Sequence, residues 1–274
     1  MFFQRYKYYV LGFLAVLTML GWWAVWEVKK PAQFRVVFFD VGQGDSIFIE
    51  DEMRHQILVD GGPGKAVLSK LGKEMPFFDR SLDLVILTHP DKDHLAGLLE
   101  VLKKYQVGEV FYNGIQDDSS YYQEFLKIIA EKKIPVAFPH LGQEVDLANN
   151  AHLDFLFPLT DIRGKKFKDT NDSSIVSRLV HGDREYLLTG DAGNGVEEEI
   201  LKNNIYLQSD ILKVAHHGSK NGTSENFLKA VEPQAAIISV GKNTYGHPNE
   251  ATLGRLQDWG AQILRTDEKG DIGY

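Results

Sequence analysis

The chain has 274 residues, 43% of them hydrophobic, enough to bury one sizeable core. It contains no cysteine, which excludes a disulfide scaffold or disulfide-linked partner, thiolate zinc sites and a thiol nucleophile. A formal net charge of -8, with Arg163 to Lys168 as the densest basic cluster, argues against a broad surface built to grip a long polyanion.

The first element, Tyr8 to Trp26, carries no charged residue. As an α-helix it would be about 28 Å long, close to the thickness of a bilayer core. Tyr6, Tyr8 and Tyr9 at one end and Trp22, Trp23 and Trp26 at the other fit the aromatic residues of two membrane interfaces. A cleaved signal peptide would have a shorter apolar region ending in small residues, whereas this run ends in tryptophans before Glu27-Val28-Lys29-Lys30. The sequence therefore predicts a single-pass membrane anchor in residues 1–30 and one domain over residues 31–274. Arg5 and Lys7 precede the span and Lys29 and Lys30 follow it, so charge alone does not orient it.

After Lys30-Pro31-Ala32, three strands are predicted at residues 34–39, 46–49 and 56–59, joined by Gly-rich or charged turns. The third delivers Asp60 at its end. Asp83-Leu84-Val85-Ile86-Leu87 reads as a buried parallel strand. Helices follow at 95–104 and 121–132, the second with two lysines at its end. A hairpin through Gly182-Asp183 joins strands at 174–180 and 185–188. Strands at 210–215, 235–240 and 262–264 then alternate with helices near 195–203, 224–231 and 250–259. Neither a repeat nor a second domain boundary is visible.

The chemistry is concentrated in Thr88-His89-Pro90-Asp91-Lys92-Asp93-His94, a loop leaving the buried strand. Two imidazoles and two carboxylates within six residues suit two adjacent divalent metals. Alternatively, this is a polar loop in which Asp93 caps the following helix. Three other strand ends present Asp60, Asp191 and the pair His216-His217, and convergence of all four favours one metal site over four separate caps.

These motifs resemble the metallo-β-lactamase fold superfamily. Asp40-Val41-Gly42-Gln43-Gly44-Asp45-Ser46, the His89–His94 loop, His216-His217-Gly218-Ser219 and Gly241 to Pro248 look most like the extracytoplasmic hydrolase (DNase) domain of ComEC-type DNA-uptake proteins, over residues 33 to 274. The resemblance implies an α/β fold, a four-layer αββα sandwich here preceded by the transmembrane helix. It implies a second metal site of Asp93, His94, Asp191 and one of His216 or His217, with Asp191 bridging to a first site that includes His89. That first site departs from the commoner pattern: Asp91 stands where histidine is usual, and Asn171-Asp172-Ser173-Ser174 occupies the region that would supply a third histidine. Oxygen ligands harden such a site and weaken it, favouring manganese or a similar ion over zinc. Either Asn171 or Asp172 supplies an oxygen ligand, or that position binds metal loosely until a substrate phosphate completes it; the segment also reads as an Asx turn before a strand, and for Asp172 the two readings are equal.

Two divalent ions would activate water and neutralise charge on a phosphodiester, with Asp93 and Asp191 holding them. His247, in the turn-rich loop after the 235–240 strand, is the candidate proton donor; its alternative role is to order a turn ahead of Pro248. Ser219 and the Gly218 amide are weaker phosphate contacts, and Ser174 and Asp60 are supporting residues. Gln43 and Asp45 are expected to brace Asp60 and the metal loop, and Lys213 to be structural. His55, His140, His152 and His181 lie outside every motif.

The sequence thus favours a membrane-anchored, metal-dependent phosphodiester hydrolase acting on DNA outside the cytoplasmic membrane, as the resemblance implies. Two other readings are a cell-envelope phosphodiesterase for choline-decorated or teichoic-type polymers and a binding module with an impaired first site. With one predicted span the chain cannot form a DNA channel, so a role in uptake would require a separate channel protein.

Overall fold

The computed structural model describes residues 2–29 and 32–274. Part of the expected linker, Lys30-Pro31, lies outside the described residues. The apolar N-terminus forms one helix, α1 (Phe2–Lys29), and its described side chains are exposed, Leu11 at 61% and Phe13 at 64%. Among the described residues no helix is long and apolar enough to cross a membrane, so the expected span over 8–26 is not supported. The continuous run of described side chains, Tyr6 to Trp23, includes Lys7 and several tyrosine and tryptophan rings, which dilute its apolarity.

Two seven-stranded sheets follow. The first contains β1 (Arg35–Phe38), β2 (Ile47–Glu50), β3 (Gln56–Val59), β4 (Ser81–Leu87), β5 (Gln106–Tyr112) and β6 (Val136–Ala137). The second contains β7 (Glu144–Asp146), β8 (His152–Phe157), β9 (Val176–His181), β10 (Arg184–Leu188), β11 (Ile211–Lys213), β12 (Ala235–Ile238) and β13 (Gln262–Arg265). The last strand, β14 (Ile272–Gly273), returns to pair with β1, giving orders 14-1-2-3-4-5-6 and 13-12-11-10-9-8-7. Each sheet has an antiparallel half made of hairpins and a parallel half, β3 to β6 and β10 to β13.

Strand alternation explains the layering. Val36, Phe38, Ile47, Ile49, Ile57 and Val59 meet Leu153, Phe155, Leu179 and Leu188 between the sheets. The intervening Val37, Phe48, Leu58 and Val85 face outward, where α2 (Ala66–Glu74), α3 (Lys92–Lys104) and α4 (Ser120–Lys132) cover them. Helices α5 (Asn194–Lys202), α6 (Glu225–Val231) and α7 (Glu250–Trp259) cover the second sheet through Leu187, Leu212, Ala236 and Ile238. A short α8 (Thr266–Lys269) precedes β14. The result is four layers, αββα.

Close backbone approach sets the register of α3. A Cβ on Gly97 would lie 1.8 Å from the Gly61 carbonyl oxygen, so only paired glycines let this helix reach the end of β3. The Gly61 amide donates to the His94 carbonyl at 2.7 Å and the Gly97 amide to the Gly62 carbonyl at 2.9 Å. Contrary to the sequence reading, α3 begins at Lys92, so Asp93 and His94 occupy its first turn. Asp91 holds the N-cap position and makes no side-chain cap bond; its carboxylate accepts from Thr170 Oγ1.

Candidate metal centre

The four strand ends do converge. β3 delivers Asp60, β4 delivers His89 and the α3 turn, β10 delivers Asp191, and β11 leads into His216-His217. Four overlapping sets of ligand atoms lie within 4.8 Å of one another: His89, His94 and Asp191; Asp93, His94 and His217; Asp45, Asp60 and His94; Asp45, Asp191 and His217.

Hydrogen bonds fix the ring orientations. Thr88 Oγ1 donates to Asp60 Oδ2 at 2.7 Å, which leaves its lone pair to accept from His89 Nδ1–H at 3.0 Å. His94 Nδ1–H donates to Asp60 Oδ2 at 2.8 Å, and His217 Nδ1–H donates to the Ser239 carbonyl at 2.8 Å. All three histidines therefore present Nε2 to the same space, and each Nε2 is buried without a hydrogen-bond partner. Asp191 Oδ1 is buried and unpartnered too. His94 Nε2 stands 3.4 Å from Asp191 Oδ1, and His217 Nε2 stands 3.3 Å from both Asp93 Oδ2 and Asp191 Oδ2. Buried polar atoms without partners are costly, and a cation between them removes that cost. The residues present thus fit a divalent metal centre.

Burial and the neighbouring His94 lower the His89 pKa to about 4, keeping its ring neutral. Burial also opposes charge on His94 and His217, but Asp191, with Asp60 or Asp45 beside it, raises both well above the usual imidazole value. Burial opposes charge on Asp191 as well, yet His217 and His94 hold its carboxyl well below the usual range. Asp93 is likewise lowered to about 2 against burial, chiefly by the facing imidazole of His217 and by His94.

Lys213 is fully buried at the back of the centre. Its ammonium pairs with Asp45, donates to the Gly190 carbonyl at 2.9 Å and stands 3.7 Å from Asp191 Oδ1. Asp45 therefore reaches beyond the bracing role expected of it. Its Oδ1 is 3.3 Å from His217 Nδ1 and its Oδ2 is 3.9 Å from His94 Nδ1. Gln43 Oε1 accepts from the Gly241 amide at 3.4 Å, tying its turn to the His247 loop.

The paired histidines face different ways. Both have left-handed backbone, φ 48° for His216 and 52° for His217. His217 is 1% exposed and lies among Asp45, Asp93 and Asp191. His216 is partly exposed, with Nε2 at 3.8 Å from Asp191 Oδ2 and its ring centre 5.2 Å from that of His247. Together with Gln43, Asp91, Asp93, Asp191, His217 and Tyr245, these two rings line a cleft of about 150 Å3. His247 Nδ1 is buried and unpartnered, and burial beside His216 and His217 lowers its pKa.

The first half of the centre is thinner. His89 Nε2 is 4.0 Å from Asp91 Oδ2, and among the described residues no further histidine joins them beyond His94. Asn171 Oδ1 is buried without a partner, whereas Asp172 is exposed and lines a different cavity. Ser174 Oγ accepts from the Asp191 amide at 3.2 Å. Ser219 is buried beneath His216, its amide donating to the His216 carbonyl at 2.8 Å, and it does not line the cleft. Sequence reasoning missed Thr88, Thr170 and Tyr245. Thr88 and Tyr245 had a signal, since the first immediately precedes the first ligand candidate and the second lies in the Gly241 to Pro248 motif two residues before His247; Thr170 had none.

A double-sheet sandwich with an Asp/His centre at the strand ends defines a metal-dependent hydrolase fold. Residues 39–242 match the Metallo-beta-lactamase superfamily, and the chain belongs to that family. Among curated relatives, it is 31% identical over 258 residues to "ComE operon protein 3" of Bacillus subtilis (strain 168), covering 87% of this chain and 32% of that protein. It is 31% identical over 264 residues to "Competence protein ComA" of Neisseria gonorrhoeae, covering 95% of this chain and 35% of that one. The chain thus spans about a third of the length of these relatives. Among solved structures, the metallo-beta-lactamase fold protein YhfI from Bacillus subtilis superposes with a TM-score of 0.59 at 14% identity, covering 88% of this chain and 100% of that chain; this likeness concerns the fold.

Proposed function

We propose that the protein is a divalent-metal-dependent phosphodiester hydrolase acting on DNA. The observation that carries this reading is the set of unpartnered buried atoms, Nε2 of His89, His94 and His217 with Asp191 Oδ1, directed at one space. Asp93, His94, His217 and Asp191 would hold one ion. His89, Asp91 and the shared Asp191 would hold a second more weakly, with Asn171 Oδ1 as an available oxygen. When bound, such a pair lowers the pKa of water and offsets charge on a phosphodiester. The oxygen-rich half suits manganese at least as well as zinc.

The chain's own residues supply the rest. Asp60 and the Ser239 carbonyl keep the Nδ1 protons of His94 and His217 in place, so that Nε2 faces the ion. Lys213 offsets the buried charge of Asp45 behind the centre. His247, which lines the cleft, would hand a proton to a departing alkoxide. The names of the two competence-related relatives support DNA over a cell-envelope polymer.

We also infer that α1 holds the domain against a membrane, with the domain on the outer face. Its exposed apolar side chains support a lipid contact, and a separate channel protein would serve any transport. Flotation of the full chain with phospholipid vesicles, lost on deletion of residues 1–30, tests the attachment.

The activity is tested on the full chain in detergent, stripped of metal and restored with manganese or zinc separately. Single-stranded DNA, duplex DNA and bis(p-nitrophenyl) phosphate are the substrates. Cleavage of the small ester alone would sink the DNase reading, and no cleavage of any of them would sink the phosphodiesterase reading.

A further inference from the structure

A second cavity, of about 550 Å3, is lined by residues that follow β8, by Asp172 and by the start of α5. Phe157 and Leu159, where the chain leaves β8, form one wall with Phe167. Lys165 and Lys166, both exposed, line it as well, as do Gly195, Val196 and Glu199 of α5. This volume lies in the range of pockets that enclose small ligands.

Two segments tie this cavity to the metal centre. Thr170 donates to Asp91, and Asp172, two residues on, lines the cavity, a reach of at most about 7 Å. On the other side the chain runs from Asp191 to Gly195, another lining residue, a reach of at most about 14 Å. The two cavities have no lining residue in common, but these two short segments join them.

The lining has two chemistries. Phe167, partly exposed, offers a flat aromatic face of the kind on which a nucleobase stacks, and Leu159 and the edge of core-packed Phe157 add apolar lining. Lys165 and Lys166 offer cations for a phosphate, and the 3.6 Å pair of Lys166 with exposed Asp118 is a weak surface contact. Glu199 and Asp172 line the cavity as well, and they disfavour a phosphate away from the two lysines.

We propose that this cavity is a subsite for a nucleotide flanking the scissile phosphodiester of a single strand, its base against Phe167 and its phosphate at Lys165 and Lys166. The inference rests on the phosphodiesterase reading and deepens it. It assigns the basic cluster at 163–168 a task and gives a chain of net charge -8 a local hold on a polyanion. A duplex keeps its bases stacked inside and cannot offer one to the cavity.

The test compares the full chain with Lys165→Ala/Lys166→Ala, Phe167→Ala and Phe167→Trp in the presence of manganese. Substrates are fluorescein-labelled oligo-dT of two to sixteen nucleotides and bis(p-nitrophenyl) phosphate; anisotropy with calcium in place of manganese reads binding alone. For dT8 the KM should rise roughly tenfold in the double lysine variant and in Phe167→Ala, with kcat little changed. Phe167→Trp should restore it, and hydrolysis of the small ester should stay at the level of the unaltered chain. An unchanged KM for dT8 would overturn the subsite. An equal loss on both substrates would overturn it too, because the residues would then serve the fold or the metal centre. Binding of a glycerol-phosphate polymer with the same dependence on Phe167 would overturn the nucleotide assignment. Cavity-dependent binding of dT8 without hydrolysis of any ester would leave the subsite standing and sink the phosphodiesterase reading.

Discussion

Two regions of the molecule bury carboxylates, and they treat them in opposite ways. At the β2–β3 turn, at the far end of the first sheet from the metal centre, Asp51 Oδ1 accepts from the amides of Met53 and His55 at 2.9 and 2.8 Å. Its Oδ2 accepts from the Ala148 amide at 2.8 Å and from His55 Nδ1 at 2.7 Å. Every lone pair that matters there is occupied, and the outcome is a knot joining the two sheets. In the metal centre, Asp191 and three imidazoles keep unpartnered atoms pointing at one another. Burial alone therefore does not mark a functional carboxylate; burial combined with unmet bonding capacity does.

The sharpest break of that comparison is Asp191→Ala. It removes the carboxylate that the proposed function shares between both halves of the centre, and hydrolysis should fall on the order of a thousandfold or more, about 4 kcal/mol of transition-state stabilisation. Steady-state rates measured with saturating manganese check this. Fold retention, read by circular dichroism, would separate loss of chemistry from loss of structure.

The two halves should also part company. His94→Ala or His217→Ala should cost on the order of a thousandfold, whereas Asp91→Ala should cost about tenfold to a hundredfold and recover as metal concentration rises. Equal losses at His94 and Asp91 would contradict the weaker first half. Asp60→Asn leaves every ligand in place but disturbs the acceptor for His94 Nδ1–H, and metal affinity by calorimetry should fall about tenfold to a hundredfold. Because carboxylates raise the pKa of His94 and His217 well above the usual imidazole value, a binding cation displaces protons there. Metal affinity should therefore weaken as pH falls, with an enthalpy that varies with the ionisation heat of the buffer.

The smallest effect belongs to the satisfied knot. Burial works against the charge of Asp51, yet the Ala148 and His55 amides hold its carboxyl below the ordinary 3.8. A depressed folded pKa contributes stability that is fully present above the unfolded value and is lost as pH falls through the folded one. Asp51→Asn should cost about 1–3 kcal/mol at pH 7 and leave kcat unchanged. In denaturant titrations its difference from the unaltered chain should shrink below pH 4.

Much of this architecture was legible in the sequence. Apolar runs marked the strands, the resemblance implied their arrangement in two sheets, and β4, β10, β11 and β12 fall within a few residues of their predicted ranges. Helix α7 falls at the predicted residues 250–259. Other elements left weaker traces. The residue preceding α2 is Lys65, which makes no side-chain cap bond, and β8 carries polar His152 and Asp154 between its apolar positions. β5 begins at Gln106 with partly buried and exposed residues, so its first turn resembles a loop.

The sequence by itself determined which residues could serve a metal, because ligand types at the ends of apolar runs are a chemical pattern along the chain. It also marked the departure at Asp91, since a carboxylate in place of an imidazole needs no coordinates to be seen. Tertiary structure alone decided which of His216 and His217 turns inward, since adjacent residues with left-handed backbone send their rings apart and only packing chooses between them. It also decided that Asp60 would orient His94 through a bond spanning 34 residues, and that Lys213 and Asp45 would pair behind the centre. Such choices depend on distances across the two sheets, and those exist only once the hydrophobic layers have closed.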